Sequence, residues 1–298
     1  MKVLLAGASG MIGSELRAQL ADAGHETRRL VRREPGGPDE FAWNPAERAV
    51  PVELFDWADG VINLSGASLQ RLPWTGATKR RILSSRLQAT GTLAEGMRRA
   101  DDPPAVLVSG SAVGYYGDRP GQQLPESASK GTGFLADVVD AWEAAARLAP
   151  PATRVAFART GVVVGRGGAL KPLLPLAKAG LAGPLGSGRQ HWPWISLHDE
   201  AAALVHLLGS TLDGPVNLVG PSPATAGEFV RALAEAVRRP YFLPVPRFAI
   251  ELALQDAGRE LLLADQQVVP QKLLDDGFTF RDGTVQDAMD RLMEVRAA

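Results

Sequence analysis

The chain has 298 residues, no cysteine and a formal net charge of −1 at pH 7. Hydrophobic residues make up 45% of it and charged residues 22%, which is ordinary for a globular protein of one large or two coupled domains. This balance excludes disulfides and thiolate catalysis, and it offers no electrostatic basis for binding nucleic acid or an anionic membrane. No apolar run in it is long enough to span a bilayer, so we expect a cytoplasmic protein without nucleic-acid or membrane partners.

Short apolar runs alternate along the chain with segments of helical periodicity, a pattern typical of a parallel sheet covered by helices on both faces. The apolar runs predict strands at 2–6, 26–31, 60–64, 105–110, 154–160 and 215–219, with a further short strand at Glu40–Trp43. Helices are predicted at 11–23, 85–99, 134–148, 169–179, 194–208 and 224–238, and residues 246–298 are predicted to be mostly helical. The fold class is therefore α/β, with a doubly wound parallel sheet.

The most informative segment directly follows the first predicted strand, where residues 7–13 read Gly-Ala-Ser-Gly-Met-Ile-Gly. A strand that runs through such a turn into a helix lets backbone N–H groups approach a pyrophosphate at the positive end of that helix. This context predicts a dinucleotide site, with a glycine-rich turn that binds nothing as the alternative. The residues predicted to bind the cofactor here are Gly7, Ser9, Gly10, Met11, Ile12 and Gly13.

The end of the second predicted strand indicates which dinucleotide is bound. An acidic residue about 20 positions after the glycine motif usually binds the ribose 2′-hydroxyl of NAD. This chain has Arg32 and Arg33 there, and an arginine fork suits a 2′-phosphate instead. The two arginines therefore predict NADP(H) as the cofactor, and a solvated strand end is the alternative.

The chain as a whole resembles the extended short-chain dehydrogenase/reductases, and more narrowly an atypical subgroup known only as epimerase family proteins. The glycine motif and four later segments carry the wider resemblance: 63–66, 109–117, 125–126 and 186–199. The subgroup's features are Trp74-Thr75, Lys79, Ser85-Arg86, Tyr115-Tyr116, Trp142-Glu143 and residues 269–278.

The resemblance implies a Rossmann-type NADP-binding domain at 1–165, to which the strand and helix near 194–219 return, and a smaller, mostly helical substrate lobe at 166–298. It also assigns the end of the strand predicted at 60–64 and the residues after it to cofactor binding; these are Asn63, Leu64, Ser65 and Gly66. By the same resemblance, Ser111 and one tyrosine of the pair Tyr115 and Tyr116 are the candidate catalytic residues. Ser111 as a cap or turn residue, and the tyrosines as packing residues, are the alternatives.

One departure from this class concerns its acid–base chemistry. Such enzymes use Tyr-x-x-x-Lys on one helix, so that the lysine lowers the pKa of the tyrosine. The three tyrosines here, at 115, 116 and 241, are followed four positions later by Arg119, Pro120 and Val245. Counting back from Glu143 places Leu135 and Val139, or Phe134 and Val138, at the positions of the dyad. We expect Glu143 itself to be a solvated helix residue, and an inward-facing carboxylate is the alternative.

Two functions are consistent with these observations. The first is an NADP(H)-dependent oxidoreductase or epimerase-like enzyme that acts on a small polar carbonyl or alcohol substrate, either free or nucleotide-linked. The second is a non-catalytic NADP(H)-binding redox sensor. The four histidines show no spacing typical of metal ligands, so no metal is expected. Trp192 and Trp194 are interpreted as core residues, and the assembly is expected to be at most a homodimer.

Overall fold

The computed structural model describes residues 1–294, and the last four residues of the predicted C-terminal lobe lie outside that range. The strands are β1 (Lys2–Ala6), β2 (Glu26–Val31), β3 (Glu40–Ala42), β4 (Gly60–Asn63), β5 (Val106–Ala112), β6 (Gln123–Leu124), β7 (Arg154–Thr160), β8 (Val162–Val164), β9 (Trp194–Ser196), β10 (Gly214–Leu218) and β11 (Gln267–Val268). The helices are α1 (Met11–Asp22), α2 (Glu53–Trp57), α3 (Gly76–Arg99), α4 (Phe134–Ala146), α5 (Leu170–Lys178), α6 (Leu197–Gly209), α7 (Ala226–Ala236), α8 (Arg247–Leu254), α9 (Asp256–Gly258), α10 (Gln271–Asp275) and α11 (Val285–Glu294). Short 3₁₀ helices lie at Pro45–Glu47 and Val113–Tyr116, and a π-helical turn lies at Arg259–Leu263.

Seven parallel strands form the central sheet in the order β10-β7-β5-β4-β1-β2-β3. The order reverses between β1 and β4, and in open α/β sheets ligands bind at the carboxyl ends of the strands on either side of such a reversal. Two further pairs of parallel strands, β6 with β11 and β8 with β9, lie outside this sheet. The predicted fold class is therefore confirmed, including the short strand β3.

Helices cover both faces of the sheet. α1 and α6 pack over one face, where Leu5 and Leu204 belong to the same buried apolar cluster. α3 and α4 pack together over the other face, where Leu4 and Leu93 are buried. Among residues 1–294, no helix combines the length and the apolar character that crossing a membrane requires.

The C-terminal half builds a second core around α5, α7 and α11. Trp192 and Trp194 are buried in it, and the ring of Trp192 meets that of Phe229 edge to face, which confirms their interpretation as core residues. The region is not confined to a separate lobe, however. Leu273 and Phe278 pack against the core beneath the central sheet.

Three predicted boundaries were wrong. The helix predicted at 194–208 begins only at Leu197, because Trp194–Ser196 pair with Val162–Val164 as strand β9. The helix predicted at 85–99 begins nine residues earlier, at Gly76, because the hydroxyl of Thr75 accepts a hydrogen bond from the backbone N–H of Thr78 and caps the helix. The fifth strand runs to Ala112 rather than to residue 110, since it pairs with β7 over that whole length. Ser111 therefore lies inside a strand.

Candidate functional site

The three glycines of the loop between β1 and α1 meet different surroundings. Gly7 has a φ of +86°, and a Cβ added there would lie 2.7 Å from the carbonyl carbon of Leu64. A Cβ on Gly13 would lie 2.6 Å from the carbonyl oxygen of Gly7. At Gly10 the nearest atom is 3.6 Å away, an ordinary van der Waals distance. The fold thus accounts for glycine at Gly7 and Gly13, whereas at Gly10 the protein leaves space in front of α1.

The start of α1 has the properties of an anion-binding site. No side chain caps it, and its first turn holds no acidic residue, so its backbone N–H groups and positive dipole end are available to a ligand. A glycine-rich turn at 165–168 lies directly against Met11, whose Sδ accepts a hydrogen bond of 3.2 Å from the backbone N–H of Gly167. Gln70 donates to the carbonyl oxygen of Gly168. Segments from two other parts of the chain therefore border this loop.

Hydrogen bonds of Asn63, the last residue of β4, hold the segment that follows it. Its Oδ1 accepts a hydrogen bond of 3.0 Å from the backbone N–H of Ser65, and its Nδ2 donates to the hydroxyl of Thr90 at 2.9 Å. Because Asn63 is fully buried, it positions the segment from Leu64 to Gly66 and does not face a ligand itself. The carbonyl of Leu64 lies close to Gly7, so both predicted cofactor segments meet at the edge of the sheet.

The structure gives different surroundings to Arg32 and Arg33. Arg33 makes a two-pronged ion pair with Glu40 on β3, at 2.6 and 2.7 Å, and Arg29 approaches the same carboxylate at 3.0 Å. Hydrogen bonds from Arg33 and from the backbone N–H of Gly36 lower the pKa of Glu40 to about 2. Arg32 is exposed and, within residues 1–294, has no side-chain hydrogen bond or ion pair. Of the two arginines predicted to bind a 2′-phosphate, Arg33 is already paired within the chain, and Arg32 is the one open to a phosphate.

Glu143 is a second correction. Its side chain is only 1% exposed and lies at the inner face of α4, where it forms a fork with Arg159 on β7 at 2.8 and 3.0 Å. The hydroxyl of Ser111 donates to the same carboxylate at 2.8 Å. A solvated position was expected because one helical period offered no way to foresee the arginine. The single proton of Ser111 is thus directed at Glu143 and not at the space above the strand end.

Tyr116 and Tyr115 take different positions beside this pair. Tyr116 is fully buried: its hydroxyl donates to Asn217 at 2.7 Å and accepts from Arg159 at 3.0 Å, and burial raises its pKa. The half-buried ring of Tyr115 has the guanidinium carbon of Arg159 3.6 Å from its centre. Within the described part of the chain its hydroxyl has no hydrogen-bond partner. This geometry favours packing for Tyr116 and leaves Tyr115 as the candidate proton donor.

The positions of the missing dyad are apolar and covered. Leu135 and Val139 are buried on α4, and Leu135 and Val138 pack with Trp74 and Ala257 in one cluster. The carboxylate of Glu260 caps α4 by accepting from the backbone N–H groups of Phe134 and Leu135, at 3.0 and 2.7 Å. The C-terminal region therefore covers these residues, and their assignment to the dyad positions stays a prediction.

Sequence reasoning missed three residues of this region. Arg159 was detectable as a charge near the end of the largely apolar strand β7, where a buried cation requires a partner. Glu260 was not detectable, since it reaches α4 from more than a hundred positions away. Arg86, noted only as a subgroup feature, lies beside Gly66 with its guanidinium over the ring of Trp142, 4.9 Å from the ring centre. Within residues 1–294, no group of three or more His, Asp or Glu side chains is arranged to hold a metal ion.

Comparisons with known proteins agree with this architecture. Residues 3–220 match the NAD dependent epimerase/dehydratase family, and residues 245–292 match a domain of unknown function, DUF1731. The chain is 41% identical to the epimerase family protein MT2273 of Mycobacterium tuberculosis over 290 residues, which are 96% of each chain. It is 35% identical to the human epimerase family protein SDR39U1 over 286 residues, which are 94% of this chain and 95% of the human one.

Solved structures show the same relationship. The crystal structure of human SDR39U1 with NADPH superimposes with a TM-score of 0.91 at 33% identity, covering 99% of both chains. The NAD complex of UDP-glucose 4-epimerase from Thermus thermophilus gives a TM-score of 0.76 at 19% identity, over the full length of both chains, and shows the shared fold alone. The glycine loop, the sheet order and the matched residues 3–220 together establish that this chain belongs to the NAD dependent epimerase/dehydratase family.

Proposed function

We propose that the protein is an NADP(H)-dependent oxidoreductase for a small carbonyl or alcohol substrate, in which Tyr115 replaces the usual dyad as proton donor. The open position at Gly10, in front of an uncapped helix, is the observation that carries the cofactor part of this proposal. A pyrophosphate fits there, and exposed Arg32 fits a 2′-phosphate. The structure of human SDR39U1 with NADPH supports the same cofactor here.

The chemistry of the site follows from which hydroxyl groups are available. When bound, the nicotinamide would supply or accept a hydride. The hydroxyl of Tyr115 is the free donor beside the carboxyl end of β5, and Arg159 places a positive charge against its ring. Ser111 and Glu143 do not contact the Tyr115 hydroxyl. Ser111 donates to Glu143, and the fork between Glu143 and Arg159 holds the Arg159 guanidinium against the Tyr115 ring. Ser111 is thus better supported as a positioning residue than as a direct donor.

A second function, a non-catalytic NADP(H)-binding sensor, is favoured by the apolar cluster at the dyad positions. Trp74 and Ala257 pack against Leu135 and Val138, and Tyr115 is followed four positions later by Arg119 in place of the lysine that would stabilise a tyrosinate near neutral pH. Without such a lysine, proton transfer by a tyrosine would be slow. The presence or absence of turnover on a carbonyl or alcohol substrate separates the two proposals.

The test is NADPH oxidation across a panel of small aldehydes and ketones, with wild type, Ser111→Ala, Tyr115→Phe and Tyr116→Phe. An enzyme that uses Tyr115 should lose about 100-fold or more in kcat/KM when the hydroxyl is removed. Tyr116→Phe should mainly lower the Tm, since it leaves the Oδ1 of Asn217 and the Nη1 of Arg159 without their buried hydrogen-bond partner. Robust turnover that is unaffected by Tyr115→Phe would refute this role. Tight NADPH binding without turnover on any carbonyl would establish the sensor instead.

A further inference from the structure

Arg86 carries a positive charge that the chain itself does not neutralise. Its Nη1 donates to the carbonyl oxygens of Ala67 and Ile82, at 3.2 and 3.0 Å. Among residues 1–294, no carboxylate lies within 4 Å of it, although the guanidinium is largely desolvated and burial lowers its pKa to about 10. A desolvated cation with only neutral acceptors is unfavourable unless a ligand offsets its charge.

The free part of this guanidinium is accessible. Nε and Nη2 make no hydrogen bond within the described chain, and neither is among its buried polar atoms that lack a partner. Both nitrogens therefore reach accessible space. A Cβ on Gly66 would lie 3.4 Å from the guanidinium carbon, so the cation borders the cofactor segment after β4.

The residues one helical turn before and after Arg86 on α3 both contact α4. Ile82, one turn before it, packs in the cluster of Leu135 and Val138. Thr90, one turn after it, accepts a hydrogen bond of 2.9 Å from Trp142. Between these contacts, the guanidinium of Arg86 lies over the ring of Trp142, 4.9 Å from the ring centre. The cation thus lies between α4 and the segment after β4 that is predicted to bind the cofactor.

We propose that Arg86 binds an anionic oxygen group of the substrate, a carboxylate or a phosphate close to the reacting carbon. The inference rests on the proposed function, since it takes the cleft to be the cofactor site. The anions of the cofactor already have candidate partners, the start of α1 for the pyrophosphate and Arg32 for the 2′-phosphate. Arg86 remains for the substrate, whose class is then a small carbonyl or alcohol compound that bears an acid group.

The experiment measures NADPH binding first and anion binding second, by calorimetry on wild type, Arg86→Gln, Arg86→Lys and the control Arg81→Gln. Arg81 is an exposed arginine on the same helix. Oxalate and inorganic phosphate serve as probes and are titrated into the NADPH-loaded protein. We expect saturable binding of at least one probe to wild type and to Arg81→Gln, weakened about tenfold or more in Arg86→Gln. Arg86→Lys should retain part of it, because the charge is kept without the fork.

The outcomes separate the sources of the anion. NADPH affinity that stays within about threefold of wild type in Arg86→Gln supports a substrate role, whereas a loss of tenfold or more assigns the cation to the cofactor and overturns the proposal. No binding of either probe to loaded wild type also overturns it. Probe binding by NADPH-loaded, folded Arg86→Gln that equals that of wild type would place the anion site elsewhere and overturn the proposal, and a sharply lowered Tm of this variant would then assign Arg86 to packing. Failure of wild type to bind NADPH at all would instead contradict the proposed function.

Discussion

The arginines of this site differ in whether a carboxylate of the same chain already pairs with them. Arg33 and Arg159 each form a fork with a carboxylate, Glu40 and Glu143, and these four charges stabilise the fold. Arg32 and Arg86 have no such carboxylate within residues 1–294. In a protein interior or cleft, a cation left without an acid is a candidate for ligand binding, since the charge otherwise loses hydration without compensation.

At this scale, Arg32 should determine the preference for NADPH over NADH. We expect wild type to bind NADPH at least tenfold more tightly, because loss of the phosphate contacts should cost ~1.4 kcal/mol or more. Arg32→Asp should abolish the preference, whereas Arg81→Asp, which changes an exposed arginine of α3, should leave it intact. Calorimetry with both dinucleotides measures this, and equal wild-type affinities would disprove recognition of the 2′-phosphate.

At the scale of elements, each functional segment is held by a contact with another element. The loop before α1 lies against the segment after β4, and α4 is capped by Glu260 from the π-helical turn. The C-terminal region thereby orders the start of α4 and covers the dyad positions with Ala257. α4, which carries no Tyr-x-x-x-Lys pair, is in this way fixed as a packing element.

The glycine loop gives a prediction for one such element. Gly10→Val should leave the fold intact, since the protein offers no atom closer than 3.6 Å to a Cβ at that position. It should abolish dinucleotide binding, because the added side chain would fill the space in front of α1. Circular dichroism checks the fold and calorimetry checks binding. Gly91→Val, at a helix position with open space away from the cleft, is the control. Unchanged NADPH binding by folded Gly10→Val would show that the loop does not hold the pyrophosphate.

At the scale of the whole molecule, stability depends on one carboxyl group buried between the sheet and α6. Glu200 is fully buried; its Oε1 accepts a hydrogen bond of 2.7 Å from the hydroxyl of Thr160, and its Oε2 has no partner in the described chain. Burial raises its pKa from 4.5 to about 8. The folded chain therefore binds one proton more than the unfolded chain between these two values. The stability that this proton contributes is complete below the unfolded pKa and is lost as the pH rises through the folded one.

The substitution Glu200→Gln should remove this dependence on pH. We expect the variant to gain stability relative to wild type as the pH rises from 5 to 8.5, with an upper slope of about 1.4 kcal/mol per pH unit. Urea unfolding at several pH values measures the effect. Glu235→Gln, which changes an exposed glutamate of α7, should follow the wild-type profile. Parallel profiles for wild type and Glu200→Gln would mean that Glu200 is ionised in the folded protein.

The sequence by itself determined what depends on neighbours along the chain. The strand–glycine–helix unit, the periodicity of the other sheet strands and the absence of Tyr-x-x-x-Lys are local patterns, and each was predicted before the fold was known. The tertiary structure alone decided which charges meet. Glu143 faces inward because Arg159 lies opposite it on β7. Arg33 is paired with Glu40 because β3 places Glu40 beside the end of β2. Such pairings join residues of different segments that only the packed sheet brings together. The periodicity of a single helix or strand reports only neighbours along the chain, so it cannot reveal them.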